Sequence, residues 1–313
     1  MRVMRFRFRS AVPTAAAFIA ALSLAACSSD KTTAPAQDPL FKTMVVFGAS
    51  LDDVGNTCNL NPAACPPPPY FQGRVSNGPI WVELVAQQLG ASLTPSRTGG
   101  TNYAYSGART GPIAGTTQGV PNMIAQVDAY LAAPATFDRS RALFVLNGAT
   151  VGNDITDAVI QLNTNPAAAA IPSNAVTNLA TMVGKLYDAG ARHILIANST
   201  DVGRTPQVRS LGAQATQLAS TFSSLFNGGL NIQLTVLRAS NAGLNLYLLD
   251  LGKLTADVFA SPATFGFTNL TAPCLTGTTV CATPDAYFYW DPFHPTAATG
   301  KLVAARALTA LGR

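Results

Sequence analysis

Two histidines occur in the 313 residues, and one of them has the neighbours that proton-transfer chemistry requires. His294 lies in the proline-bracketed stretch YWDPFHPT, with Asp291 three residues earlier, close enough for one turn of chain to set a carboxylate against an imidazole nitrogen. A ring oriented in that way can take the proton of a hydroxyl nucleophile from its other nitrogen. A candidate nucleophile stands in FGASLDDVGN, where Ser50 follows the apolar run Met44-Val45-Val46-Phe47. The carboxyl end of a strand is where an α/β sheet presents ligands and nucleophiles, because the amides of the following turn point there. An ordinary strand-to-helix turn would read the same over these ten residues, and an Asp-x-x-His is weak by itself. His193 opens the apolar run HILIA and is expected to be a satisfied structural histidine.

The elements that must position these residues follow from hydrophobic pattern. Apolar runs suited to buried strands recur at Met44–Gly48, Ala142–Leu146, His193–Ala197 and Leu246–Leu251, with helical patterns between them. Alternating strands and helices predict a parallel sheet covered on both faces. SNGPIWVELVAQQLG reads as a short helix with cap-type residues at its start, a stripe of Ile80, Leu84 and Val85, and Gly90 at its end. NAVTNLATMVGKLYDAGA carries the stripe Val176, Leu179, Val183 and Leu186 and closes at Gly190. A long helical region is expected over Gln207–Ala239, and a last helix over about Pro295–Leu311, with the proline in its first turn.

Several blocks, in order, resemble the SGNH or GDSL family of serine esterases and lipases. FGASLDDVGN is similar to the first block and makes Ser50 the nucleophile; GRVSNGPIWVELVA is similar to the loop and helix that follow it. GGTNYAYSGA resembles the second block, whose glycine, here Gly107, gives a backbone N–H to the oxyanion. Gly152-Asn153-Asp154 resembles the third, whose asparagine amide is another donor, and WDPFHPT the last, with Asp291 and His294 completing a triad. The resemblance covers roughly residues 42–313. It implies a three-layer α/β/α sandwich with a parallel sheet of about five strands, close to the flavodoxin-like arrangement. It implies ester hydrolysis through an acyl-enzyme, with Ser50, Gly107 and Asn153 around the oxyanion and no metal or other cofactor. An O-acyltransferase or glycan O-deacetylase would use the same triad, and a non-catalytic surface binding lipoprotein would keep only the fold.

Two departures stand out. The usual Gly-Asp-Ser-Leu is here Gly48-Ala49-Ser50-Leu51, so the carboxylate beside the nucleophile is missing, although Asp53 still matches the end of the block. LNGATVGNDI holds extra residues between strand and asparagine; an alternative register uses Gly148 and Thr150, but Asp154 and Ile155 after Asn153 favour the first. Pro66–Pro69 with Tyr70 and Phe71 could wall an acyl pocket or form a disulfide-braced surface loop. Trp81 and Trp290 read as packing residues, Arg74 and Asn77 as loop fasteners.

Composition bounds the rest. Nearly half the chain is hydrophobic and 11% charged, which suits one large domain. The formal charge is +5, but Arg2, Arg5, Arg7 and Arg9 lie in a basic start followed by an uncharged apolar stretch, Ala11 to Ala26, which reads as an export signal. Taking those four from +5 leaves +1, so there is no electrostatic case for nucleic acid. Leu24-Ala25-Ala26-Cys27 resembles a bacterial lipobox, with Cys27 the lipidated first residue, residues 27–41 a flexible tether, and Ser28 pointing to the outer membrane; simple secretion is the alternative. The remaining cysteines form two equally spaced pairs, Cys58 with Cys65 and Cys274 with Cys281, which favours two local disulfides over zinc in an exported chain. A monomer acting on a small-molecule or lipid ester is expected.

Overall fold

In the computed structural model, which describes residues 40–112, 119–161 and 166–313, the four apolar runs make one parallel sheet in chain order. Its strands are β1 (Met44–Phe47), β2 (Leu143–Asn147), β3 (His193–Ala197) and β4 (Asn245–Leu249). The expected export signal, Cys27 and all but the last two residues of the tether lie outside the described residues. Packing reaches back to Phe41, which is buried edge-on against His193 and Tyr247 and donates its N–H to the Arg141 carbonyl.

The helices are, in chain order, α1 (Asn56–Leu60), α2 (Trp81–Leu89), α3 (Met123–Ala132), α4 (Val151–Gln161), α5 (Ile171–Asp188), α6 (Pro206–Arg209), α7 (Ala213–Ser240), α8 (Leu251–Ala260) and α9 (Ala297–Ala310). Side chains alternate along each strand between two cores, as a sheet covered on both faces requires. Val45, Phe47, Phe144, Leu146, Ile194 and Ile196 pack with α3, α4, α5 and α7. Met44, Val46, Leu143, Val145, Leu195 and Ala197 pack with α2, α8 and α9. The three layers are therefore those expected, with His193 at the start of β3 bonded through Nδ1 to the Tyr247 hydroxyl (3.0 Å) as a structural residue.

Four strands stand where about five were expected. The position beside β1 is held by Thr101–Tyr103: the Val46 N–H donates to the Thr101 carbonyl and the Tyr103 N–H to the Val46 carbonyl. Ser92 makes a further single bridge to Thr43. Pro95, which has no N–H to give, and the turn that closes at Gly99 interrupt the run before it can become a strand.

Helix boundaries moved for local reasons. α2 starts at Trp81, and Glu83 accepts the Ile80 N–H; its buried face is Trp81, Val82, Val85 and Ala86, with Leu84 only partly covered. The cap-type residues before it serve another helix, since Asn77 accepts the N–H of Ala297, the first residue of α9, and Ser76 donates to the Pro295 carbonyl. Pro295 stands before the Thr296 cap of α9 rather than in its first turn. The Gln207–Ala239 region is broken into α6 and α7 at Gly212, which has a left-handed φ of 99°.

After α8 come a small parallel pair, β5 (Asn269–Pro273) with β8 (Tyr287–Tyr289), and a hairpin of β6 (Leu275–Thr276) and β7 (Thr279–Val280). Disulfides join Cys274 to Cys281 across this hairpin and Cys58, within α1, to Cys65, the two local pairs expected of these four cysteines. Among the described residues no helix is long and apolar enough to cross a membrane.

Candidate active site

β1 ends at Phe47 and the chain turns through Gly48-Ala49-Ser50. Gly48 leaves no room for a side chain, because a β-carbon there would lie 2.0 Å from Asp52 Oδ2. Gln126 of α3 holds the same residue by both backbone groups, accepting its N–H at 3.0 Å and donating to its carbonyl at 2.9 Å. Asp52 Oδ2 turns back to accept the Ala49 N–H at 3.2 Å. It is also bonded by Trp81 Nε1 (2.9 Å, to Oδ1) and by Asn147 Nδ2 at the end of β2 (2.8 Å to each oxygen). A carboxyl group thus stands against the backbone of position 49, carried by Asp52. Burial pushes the Asp52 carboxyl up to about 7; the hydrogen bonds from Asn147, Trp81 and Ala49 pull it down, and the nearby Asp53 charge adds to the rise.

The rest of DDVGN ties this turn to the next loop. Asp53 accepts the N–H groups of Gly55, Asn56 and Thr57 at the start of α1, and its Oδ2 also takes the Ser106 N–H at 2.9 Å. Asn56 Nδ2 donates to the carbonyls of Asn102 and Ala104. Gly107, the next residue after Ser106, has φ of 84°, a conformation that L side chains resist.

Ser50 itself is buried, with 6% of its surface exposed, and its Oγ lies 2.9 Å from His294 Nε2. His294 Nδ1 lies 2.7 Å from Asp291 Oδ2 and 3.0 Å from Oδ1. An ionised Asp291 has only acceptors to offer, so the ring proton belongs on Nδ1 and Nε2 is left to accept from the serine hydroxyl. The carboxylate is fixed by the N–H groups of Phe293 and His294 on Oδ1 (2.8 and 2.7 Å) and by the Tyr70 hydroxyl on Oδ2 (2.9 Å). Burial alone would raise the Asp291 carboxyl, but the His294 charge and hydrogen bond, with the two backbone N–H groups, outweigh it and hold the carboxyl below its usual value. Tyr70 also meets Trp290 edge-on, and Trp290 packs with Cys274 and Leu275, so the segment that follows Cys65 and the loop closed by Cys274 and Cys281 meet beside Asp291. The Tyr70 phenol is pushed well above its ordinary pKa by burial and by the Asp291 charge, which keeps it a neutral donor.

The extra residues of LNGATVGNDI form a 3-10 turn, Gly148–Thr150, which places Asn153 in the first turn of α4. That helix grips the loop after Gly107 at three levels. Asn153 Nδ2 donates to the Ala108 carbonyl (2.8 Å), Asp154 accepts from the N–H and hydroxyl of Thr110 (3.1 Å each), and Asp157 pairs with Arg109 through two hydrogen bonds. Asp154 is buried, which pushes its carboxyl up to about 7 against the pull of Thr110 and the Arg109 charge. Both candidate donors, Asn153 and Thr150, border a small recess of about 20 Å³ with Ser50, and the buried Thr150 hydroxyl has no hydrogen-bond partner among the described residues.

Residues 44–307 match the family model for GDSL-like lipase/acylhydrolase, which is most of the chain. The protein belongs to this family. Among its relatives are a phosphatidylcholine-sterol acyltransferase of Aeromonas hydrophila, 27% identical over 258 residues (82% of this chain and 69% of that one). A GDSL esterase/lipase of Arabidopsis thaliana is 25% identical over 320 residues (84% and 86%). The thermolabile hemolysin of Vibrio parahaemolyticus is 26% identical over 303 residues (90% and 66%).

In this GDSL-like protein the fold brings together residues from opposite ends of the chain, with Ser50, Asp291 and His294 in one hydrogen-bonded series. Sequence reasoning missed Asp52, Asn147 and the part played by Tyr70. Asp52 carried a signal, since it is an acidic residue two positions after the nucleophile candidate in a block that lacks its usual carboxylate. Tyr70 carried none, being 221 residues from its partner. Trp81 packs as expected but also donates to Asp52, and Arg74 and Asn77 do fasten loops, Arg74 through Glu83 at 2.7 Å.

Proposed function

We propose that this enzyme cleaves carboxylic esters with Ser50 as nucleophile, His294 as general base and acid, and Asp291 as the group that orients and balances the imidazole. The observation that carries the reading is the continuous series of short contacts from Asp291 through His294 to Ser50 Oγ. Ser50 Oγ attacks the ester carbonyl while its proton passes to His294 Nε2. The tetrahedral intermediate collapses, the C–O bond to the alcohol breaks, and His294 returns the proton to the leaving alcohol. Water then repeats the sequence on the acyl-enzyme, giving up a proton to His294 and releasing the acid and the regenerated serine. The oxyanion is met by the backbone N–H groups of Ser50 and Gly107 and by the Asn153 amide.

The test is hydrolysis of p-nitrophenyl acetate and butyrate by the purified soluble chain beginning after Cys27, with Ser50→Ala beside it. Activity and fluorophosphonate labelling are both expected to vanish in the variant; hydrolysis that persists there overturns the assignment. The named relative that is a phosphatidylcholine-sterol acyltransferase favours a second outcome for the same acyl-enzyme, transfer to an alcohol in place of water. Added alcohol that diverts the acyl group from water distinguishes the two. The same proposal takes residues 1–26 as an export signal and Cys27 as a lipidated residue holding the domain at the outer membrane through residues 27–41, on the strength of the basic start and the LAAC sequence.

A further inference from the structure

On the α2, α8 and α9 side of the sheet lies a partly closed cavity of about 90 Å³. Its walls are mainly aliphatic and aromatic, with Leu254 of α8, Val303 of α9 and Phe288 among them, and among the described residues no charged side chain lines it. Leu51, Asn147 and Phe293 border both this cavity and the recess at Ser50. Two of these three are sequence neighbours of the reactive groups, Leu51 following Ser50 and Phe293 preceding His294. Phe293 stands edge-on to the His294 ring, at 5.5 Å between centroids. The apolar space therefore adjoins the recess that holds Ser50.

We propose that this cavity receives the acyl chain of the substrate, with Leu51 and Phe293 at its mouth, and that it selects esters of medium-length fatty acids. The assignment rests on the Ser50 reading above and adds the substrate class to it. Chemistry decides the occupant in two steps. An uncharged apolar recess accepts hydrocarbon and rejects a phosphate or ammonium headgroup, whose desolvation nothing there would offset. Of the two sides of an ester, the alcohol leaves before water enters, whereas the acyl group stays attached to Ser50 through both steps, so the closed side suits the acyl chain. Size sets the length. At about 10–15 Å³ for each water-sized group, the cavity holds about six to nine such groups, and a methylene is close to a water in size.

The experiment measures kcat/KM over p-nitrophenyl acetate, butyrate, octanoate and palmitate, and over acetate esters of ethanol and octanol, for the wild type, Val303→Trp and Val303→Ala. Wild type is expected to peak near octanoate. Filling the cavity with tryptophan should lower the octanoate-to-acetate ratio at least about tenfold, the range expected when a hydrophobic pocket gains or loses a small group. Val303→Ala should move the peak toward longer acyl chains, and it carries the test should the tryptophan variant fail to fold. Neither change should alter the octyl-to-ethyl acetate ratio. A peak at acetate, ratios unmoved in both variants, or an effect confined to the alcohol series overturns the cavity assignment. Each of these leaves the Ser50 reading standing as long as Ser50→Ala is inactive, and activity surviving Ser50→Ala overturns that reading instead.

Discussion

Removing the Tyr70 hydroxyl tests whether the segment that follows the Cys58–Cys65 disulfide supports the chemistry or only covers it. Asp291 Oδ2 accepts from two groups, Tyr70 at 2.9 Å and His294 Nδ1 at 2.7 Å, while Oδ1 is held by two backbone N–H groups. A hydrogen bond to a charged group contributes about 1.5–3 kcal/mol. Three of the four donors remain in Tyr70→Phe, so the carboxylate stays in place and most of that contribution cancels between ground and transition states. The remainder, about 0.7–1.4 kcal/mol, corresponds to a fall in kcat of about threefold to tenfold. Tyr70 borders neither the recess at Ser50 nor the apolar cavity, so KM should change less than twofold, about 0.4 kcal/mol or less. The acid limb of kcat/KM provides the sharper readout. Losing one donor concentrates the Asp291 charge on the imidazole, which favours imidazolium and moves the limb to higher pH. The assay is p-nitrophenyl butyrate hydrolysis from about pH 5 to about pH 9, bracketing the ordinary imidazole pKa of ~6.5, with a thermal melt to show that the variant is folded. An unchanged kcat with an unmoved acid limb refutes the reasoning, and so does a limb displaced to lower pH.

Two further predictions concern the oxyanion side and the buried carboxyls. Asn153→Ala should lower kcat about a hundredfold to a thousandfold with a smaller effect on KM, as loss of an oxyanion donor does; Thr150→Val should change it less than tenfold, and the reverse ranking in steady-state kinetics transfers the role to Thr150. Asp52 and Asp154, both pushed up to about 7 in the folded chain, bind protons more tightly folded than unfolded, where a carboxyl titrates near 3.8. Their contribution to stability is complete below about pH 4 and is lost as pH rises through about 7. Asp291, whose carboxyl is lowered, acts in the opposite sense and only at more acid pH. Urea midpoints should therefore fall between about pH 5 and about pH 7 and level off above that, with a shallower fall in Asp154→Asn; a midpoint that rises over that interval contradicts the assignment.

Much of the architecture was legible because burial leaves a local trace. A strand covered on both faces must be apolar at every position, which is why Met44–Phe47 and His193–Ala197 could be bounded closely, and the stripe Leu179, Val183, Leu186 records one buried face of α5. The two cysteine pairs are local in the chain and local in space. Ser50, Asp291 and His294 were legible as types in ordered blocks, since each block needs particular residues at short spacing. What the tertiary structure decided is everything that depends on the approach of distant loops. Asp52 is held against the Ala49 N–H by Trp81 and Asn147, which arrive from α2 and β2 to hydrogen-bond it. Asn77, which reads as a loop fastener, finds its partner in the Ala297 N–H at the start of α9 because packing puts that end beside it. The fifth strand is reduced to single bridges because Pro95 and the turn at Gly99 fall where its ladder would run. Tyr70 reaches Asp291, and an apolar cavity opens beside Ser50, through contacts between segments that share no periodicity or spacing. Hydrophobic pattern is set by each segment's own exposure, whereas a hydrogen bond between loops is set by where the whole chain has carried them.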